Sequence, residues 1–297
     1  MDGFWRDISW VPAIRSDFLT GLANILTEFG YPQFFIALLP LITWLWDKRM
    51  GTRVALLIIF TAVTNGFLKD LFENPRPPDM YSMDPRVDSG TSYGMPSGHA
   101  QVAAAMWLWL AFEIRRWWAW AAALFIAVGV ALSRLYVGVH DVEDITVGFA
   151  LGVLSVPLFI WFFSGSFAWW RAMPWYVQIG GIFALQAALW FGWPEPGGPG
   201  TKFAVGGLLT GWWAGVLVEQ AHIRYARHPN WFVALGATAA GIAVIFLVLT
   251  RIEPALMALG LEKLWARWLQ YAAIAFFTSA AAPWLFIKAG AARREAA

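Results

Sequence analysis

The chain has 297 residues, of which 59% are hydrophobic and 13% charged, with a mean hydropathy of +0.56. Soluble domains carry about 25% charged and about 45–50% apolar residues, so this composition excludes a soluble globular protein and reads as an integral membrane one. A net charge of +2 argues against a nucleic-acid partner, and zero cysteines exclude disulfides, thiolate nucleophiles and cysteine-based zinc sites.

Residues 1–30 mix aromatics, charges and short apolar stretches, and lack the basic start and unbroken apolar run of a cleaved signal peptide. They are expected to form an interfacial N-terminal helix or two, and most of the 21 tryptophans are expected to be interface anchors. A span needs ~20 mostly apolar residues. Nine candidates follow, at about 31–46, 53–73, 98–114, 117–137, 144–164, 175–193, 203–220, 231–250 and 268–287. The expected fold is therefore an all-α polytopic helical bundle. One long polar loop separates spans two and three, at about 74–96, and residues 252–267 have the spacing of a further interfacial helix. No internal repeat and no soluble domain is visible.

Eleven Lys and Arg fall on the side that holds Lys48, Arg115, Arg224 and Arg293. Seven fall on the other, once Lys69, Arg76 and Arg134 are set aside. The positive-inside bias predicts an outer N-terminus, an inner C-terminus and an outer 74–96 loop.

Three polar clusters map to the outer ends of these spans: Lys69 to Pro77, Pro96-Ser97-Gly98-His99, and Ser133-Arg134 through His140 to Asp144. Charge at a membrane boundary is costly unless paired or functional. Lys69, Arg76 and Arg134 are cations suited to a phosphate dianion. Ser97 and Gly98 open a helix whose N–H groups would face that anion. His140 and Asp144 are four apart; on a helical backbone the carboxylate would hold one ring nitrogen and leave the other as a nucleophile toward phosphorus. His99 would protonate the leaving oxygen. These parts fit phosphoryl transfer through a phosphohistidine, with no metal and no cofactor. The plainer readings go to other residues. His222 and His228 are read as inner-face headgroup contacts, Asp141 and Glu143 as solvated loop acids, Tyr136 and Gly138 as structural, and Glu73 and Asp79 as loop acids rather than metal ligands.

Lys-x6-Arg-Pro, Pro-Ser-Gly-His and Ser-Arg-x5-His-x3-Asp, in this order, resemble the signature of the type 2 phosphatidic acid phosphatase family. The resemblance covers about residues 20–165. It implies a membrane-embedded helical phosphatase acting on lipid phosphates or diphosphates, among them polyprenyl diphosphates and glycerolipid phosphates. By position it makes Lys69, Arg76, Ser97, Gly98 and Arg134 phosphate binders, His99 the acid, His140 the nucleophile and Asp144 its partner. Residues 31–195 would then be the phosphatase core and 196–297 a C-terminal transmembrane extension beyond the six-helix members. A lipid phosphotransferase with the same intermediate, a glucose-6-phosphatase-like enzyme and a transporter with a vestigial site are the competing expectations. The expected place is the plasma or inner membrane, with the site facing outward and membrane lipids as partners.

Overall fold

The structure is a computed structural model that describes residues 3–87, 92–166, 168–194 and 200–295. Its helices are α1 (Gly3–Arg6), α2 (Asp17–Glu28), α3 (Pro32–Leu41), α4 (Lys48–Phe72), α5 (Gly98–Ile114), α6 (Trp117–Tyr136), α7 (Val142–Trp161), α8 (Ala168–Ala172), α9 (Trp175–Gly192), α10 (Gly200–Val218), α11 (Trp231–Ala258), α12 (Lys263–Phe276) and α13 (Ala282–Lys288). Two short strands, β1 (Tyr225–Arg227) and β2 (Ala292–Arg294), pair antiparallel with Ala226 opposite Arg293.

Six helical segments are long and apolar enough to cross a membrane: Lys48–Phe72, Trp117–Tyr136, Val142–Gly165, Gly200–Ile223, Trp231–Ala258 and Lys263–Lys288. The chain is a multi-pass membrane protein. Counting Asp17–Glu28 and Pro32–Trp46, bent by 56° against each other, as one broken span raises the number to seven. The expected nine are not reached among the described residues, for reasons of length and polarity. Helix α5 has 17 residues, about 26 Å at 1.5 Å each, against a hydrocarbon core of ~30 Å. Helix α9 has 18 residues and carries Gln178 and Gln186. The interfacial helix expected at 252–267 is absent as a separate element. Helix α11 runs through Pro254 to Ala258, and α12 begins at Lys263.

The chain divides into two compact units. The first holds residues up to Phe35, Phe60–Ser166 and the segment from Trp193; the second holds Ile36–Ile59, residues up to Gly192 and the chain from α10 onward. The boundary expected between 195 and 196 lies outside the described residues.

In the first unit α5 packs between α6 and α7. Its Ala100, Ala103, Ala104, Ala105 and Ala111 are buried. Opposite them α7 presents Gly148 and Gly152, spaced as Gly-x3-Gly; a Cβ there would lie 2.4 Å from the carbonyl oxygens of Ser97 and Gln101. Membrane helices lack a hydrophobic drive to associate, so small residues that let backbones meet take its place. This contact seats the start of α5 against the start of α7, where two of the three polar clusters lie. Helix α7 begins with a capping box: Asp141 Oδ1 accepts from the Asp144 N–H, while the Asp144 carboxylate accepts from the Asp141 N–H.

In the second unit α10 uses Gly207, Gly211 and Gly215 in the same way. Cβ atoms at Gly207 and Gly211 would lie within 2.2 Å of the Trp268 and Ala272 carbonyls of α12. Trp44 centres its core, with Nε1 donating to the Thr278 carbonyl at 2.8 Å and its ring 5.1 Å from Phe286. At one end Lys48 reaches Glu219 at 2.8 Å, Glu295 at 3.0 Å and the Tyr225 carbonyl at 2.9 Å, beside the β1–β2 pair.

Candidate active site

All eight sequence-selected residues lie in the first unit. His140 sits in the turn between α6 and α7, and Asp144 in the first turn of α7. The backbone at His140 is not helical, contrary to the expected four-residue helical face. The two still meet, because the capping box turns the Asp144 carboxylate back toward the turn. Its Oδ2 lies 2.9 Å from His140 Nδ1, and both residues are buried. Asp141 is likewise buried as the helix cap rather than solvated. Glu143 is partly exposed in the first turn of α7 and pairs with Arg6 at 3.0 Å.

Arg76 Nη1 stands 3.2 Å from His140 Nε2 and donates to the Val139 carbonyl at 2.8 Å. A guanidinium only donates, so Nε2 is the acceptor, and the ring proton sits on Nδ1 facing Asp144. Nε2 therefore carries the lone pair. Arg76 is itself fixed by the Ser92 carbonyl at 3.0 Å and the Ser92 hydroxyl at 2.9 Å. Burial, then the nearby Arg134 charge, lowers Arg76 to about 10. Burial, then Arg76, Lys69, Arg134 and His99 in falling order, holds His140 well below the ordinary imidazole value. Those sources place three cations and the second histidine around the ring.

Lys69, in the last turn of α4, donates to the carbonyls of Tyr93 and Gly94, the latter at 2.8 Å. It thereby orders the stretch leading into Ser97. Gly94 passes so close to Asp144 that a Cβ would lie 2.7 Å from Oδ2, so only glycine fits. Ser97 caps α5, and its N–H donates to the Asp144 carbonyl at 2.9 Å. Gly98 opens the helix against Asn65, whose amide donates to the Pro96 carbonyl at 3.0 Å and to Gln101 at 2.9 Å. His99 packs edge-on against Tyr31, ring centroids 4.4 Å apart.

Arg134 is 1% exposed. Its Nη1 donates to Thr27 Oγ1 at 2.6 Å, to Asp84 Oδ2 at 3.0 Å and to Tyr31 Oη at 3.3 Å. None of these three partners was singled out from the sequence. The available signal was indirect: an arginine deep in an apolar fold needs a counter-charge, and Asp84 lies in the one long polar loop. Burial by itself would raise the Asp84 carboxyl, but hydrogen bonds from Tyr31, Arg86 and Arg134 outweigh it and hold it well below the usual carboxylate range. Asn65 and Gln101 were missed as well, since no motif marks them.

Among the described residues, Ser97 Oγ, His99 Nε2, Arg134 Nε and Asp144 Oδ1 are buried polar atoms without a hydrogen-bond partner. A buried orphan costs about 1–3 kcal/mol, so several in one site mark a place shaped for a ligand. Beside three cations, the hydroxyl, guanidinium edge and imidazole suit the oxygens of a phosphate.

The chain matches the family described as "PAP2 superfamily" over residues 51–168 and that described as "PAP2 superfamily phosphatase, transmembrane extension" over residues 203–294. "Lipid phosphate phosphatase delta" of Arabidopsis thaliana is 25% identical over 78% of this chain and 60% of its own length. "Sphingosine-1-phosphate phosphatase 2" of Mus musculus is 29% identical over 49% and 43%. The chain thus spans between two fifths and three fifths of these two relatives. "Phosphatidylglycerophosphatase B" of Bacillus subtilis is 30% identical over 48% of this chain and 73% of its own length. A crystal structure of a transmembrane PAP2-type phosphatidylglycerolphosphate phosphatase from Bacillus subtilis is similar with a TM-score of 0.44 and 27% identity, covering 52% of this chain and 81% of that one. With Lys69-x6-Arg76, Ser97-Gly98-His99 and His140-x3-Asp144 drawn together in one unit, and with both halves matched, the chain belongs to the PAP2 superfamily.

Proposed function

We propose that the chain is a phosphatase that hydrolyses lipid phosphates through a phosphohistidine on His140. The observation that carries this reading is the line Asp144–His140–Arg76. One nitrogen is held by a carboxylate at 2.9 Å, and the other presents its lone pair beside a guanidinium at 3.2 Å. In the reaction Nε2 attacks phosphorus, and the bond from phosphorus to the lipid oxygen breaks. His99, protonated in the complex with the dianion, gives its proton to the departing oxygen. Asp144 stabilises the imidazole as it becomes cationic. Water then attacks the phosphohistidine while neutral His99 takes its proton, which releases phosphate and restores His140. Arg76, Arg134, Lys69 and the α5 N-terminus at Ser97 and Gly98 bind the phosphoryl oxygens and stabilise their charge in the transition state. These cations supply that charge with no metal.

The names of the similar proteins point to lipid monophosphates: phosphatidylglycerophosphate or a sphingoid phosphate. A polyprenyl diphosphate is the further candidate. We place the site at the outer face of the plasma or inner membrane, in keeping with the distribution of Lys and Arg. Phosphate release from a panel of phosphatidylglycerophosphate, sphingosine 1-phosphate, phosphatidate, undecaprenyl diphosphate and glucose 6-phosphate tests the reading. Turnover is expected on the lipid monophosphates and should persist in excess EDTA. His140→Ala should lower it on the order of 10⁴-fold or more. More than a tenth of the activity surviving in His140→Ala overturns the nucleophile. A phosphorylated acceptor lipid without free phosphate makes the enzyme a transferase.

A further inference from the structure

The three motifs account for His140, Asp144, Arg76, Lys69, Ser97 and His99, but they leave open what aims Arg134. Arginine has a long flexible stem, and its guanidinium offers a phosphate paired donors along either of two edges, Nε with Nη2 or Nη1 with Nη2. Here one terminal nitrogen is fully engaged elsewhere. Arg134 Nη1 donates to Thr27, Tyr31 and Asp84 together, while Nε, on the opposite edge, is buried with no partner. Among the described residues Asp84 is the one anion on that nitrogen, and it is held from both sides. Its Oδ2 takes Arg134 and the Tyr31 hydroxyl, and its Oδ1 takes the Arg86 side chain at 3.0 Å and backbone N–H at 3.1 Å. Arg86 lies over the Tyr31 ring at 3.6 Å and pairs with Glu28 at 2.8 Å. The same tyrosine also packs in a T-shaped contact with His99, ring centroids 4.4 Å apart.

We propose that Asp84 and Tyr31 are positioning residues of this site: they lock Arg134 Nη1 so that its Nε edge faces the transferring phosphoryl group, and Tyr31 seats His99 against the same point. The inference rests on the phosphohistidine reading above. A buried carboxylate–guanidinium pair adds little net stability over an apolar one, and its use is to fix one arrangement. Asp84 lies between the first two motifs, and Tyr31 lies in the segment before residue 51, where the superfamily match begins. Thr27, in the stretch expected only as an interfacial helix, and Tyr31, at the start of the first expected span, then supply part of the active site.

The test separates aim from folding. Asp84→Asn and Tyr31→Phe are made in the full chain and assayed on phosphatidate, with orthovanadate and inorganic phosphate as inhibitors. Vanadate adopts the five-coordinate shape of the transition state, and phosphate does not. If Asp84 aims Arg134, Asp84→Asn lowers kcat about 10²-fold, the scale of one lost transition-state donor, and leaves KM within about threefold. The vanadate inhibition constant rises at least tenfold, while that of phosphate stays within threefold. Tyr31→Phe, which keeps the ring under His99, moves the same quantities in the same direction by a smaller factor. Asp84→Glu restores part of the vanadate affinity, and the double variant is no worse than Asp84→Asn. A fall in kcat with unchanged vanadate inhibition means fewer folded molecules and overturns the proposal, as does a kcat within twofold of the parent. If Asp84→Asn does not accumulate, Tyr31→Phe and Asp84→Glu decide by the same ratio. Loss of activity in His140→Ala, together with no shift of that ratio in Asp84→Asn, sinks this inference and leaves the phosphatase reading standing.

Discussion

His140 shows how a buried site keeps an imidazole in its neutral form. Burial and the charges of Arg76, Lys69 and Arg134 all disfavour its protonated form, while Asp144 holds the proton that remains on Nδ1. An imidazole whose value lies well below 6.5 stays neutral as pH falls through 6.5, so its nucleophilic form survives into mildly acid solution. The chain has four histidines, so ¹⁵N NMR on ring-labelled protein, with His140→Ala as the difference, can read this directly. The expected signal is a neutral, Nδ1-protonated ring still present at pH 6. Arg76→Gln should move the titration upward toward 6.5, because it removes the charge that ranks next after burial. A His140 titrating near 6.5 in the parent protein would contradict the arrangement described.

At the scale of elements, the site depends on glycines that let backbones touch. Helix α7 brings His140 and Asp144 to Ser97 only because Gly148 tolerates the Ser97 carbonyl at the distance of a missing side chain. Gly148→Ala would push the start of α7 from the start of α5, separate Ser97 from Asp144 and disturb the proposed phosphate site. Overpacking of this kind costs about 1–3 kcal/mol. A lower melting temperature and a large loss of kcat are expected together. Gly236 in α11 has nothing within 4 Å of where its Cβ would stand, so Gly236→Ala should leave both quantities unchanged or raise stability slightly. Equal behaviour of the two variants would show that the close approach has no consequence. The capping box at Asp141 belongs to the same scale. It satisfies the Asp144 N–H and, in doing so, turns the Asp144 carboxylate toward His140.

For the whole molecule, the open question is which way it faces. Lys48, Glu219, Glu295 and the β1–β2 pair meet at one end of the second unit. The sequence puts all of them on one side of the membrane, and their meeting agrees with a shared side without saying whether it is the inner one. In the absence of native cysteines, single cysteines report topology without background. Met80→Cys, in the long loop and 80% exposed, should react with a membrane-impermeant maleimide in intact cells. Arg293→Cys should react only after permeabilisation. The reverse pattern would put the site on the cytoplasmic face and overturn the positive-inside argument.

Composition alone decided that this chain lives in a membrane, since no soluble core could bury so apolar a sequence. Three short motifs marked the candidate site and the family, because phosphoryl transfer, the chemistry proposed for it, needs cations, a helix start and two histidines at particular offsets. Apolar runs marked where helices lie, yet run length did not settle the number of spans, as with α5, Pro40 in the first candidate and the split at 259–262. Nor did spacing give the local geometry of His140, whose approach to Asp144 comes from a capping box rather than a helical face. What only the tertiary structure decided is the company each motif residue keeps. Asp84, Tyr31 and Thr27 reach Arg134 from 50 to 107 positions away, and such partners leave no periodic trace. A buried charge requires a counter-charge, but where along the chain that counter-charge lies is set by packing, which sequence spacing does not encode.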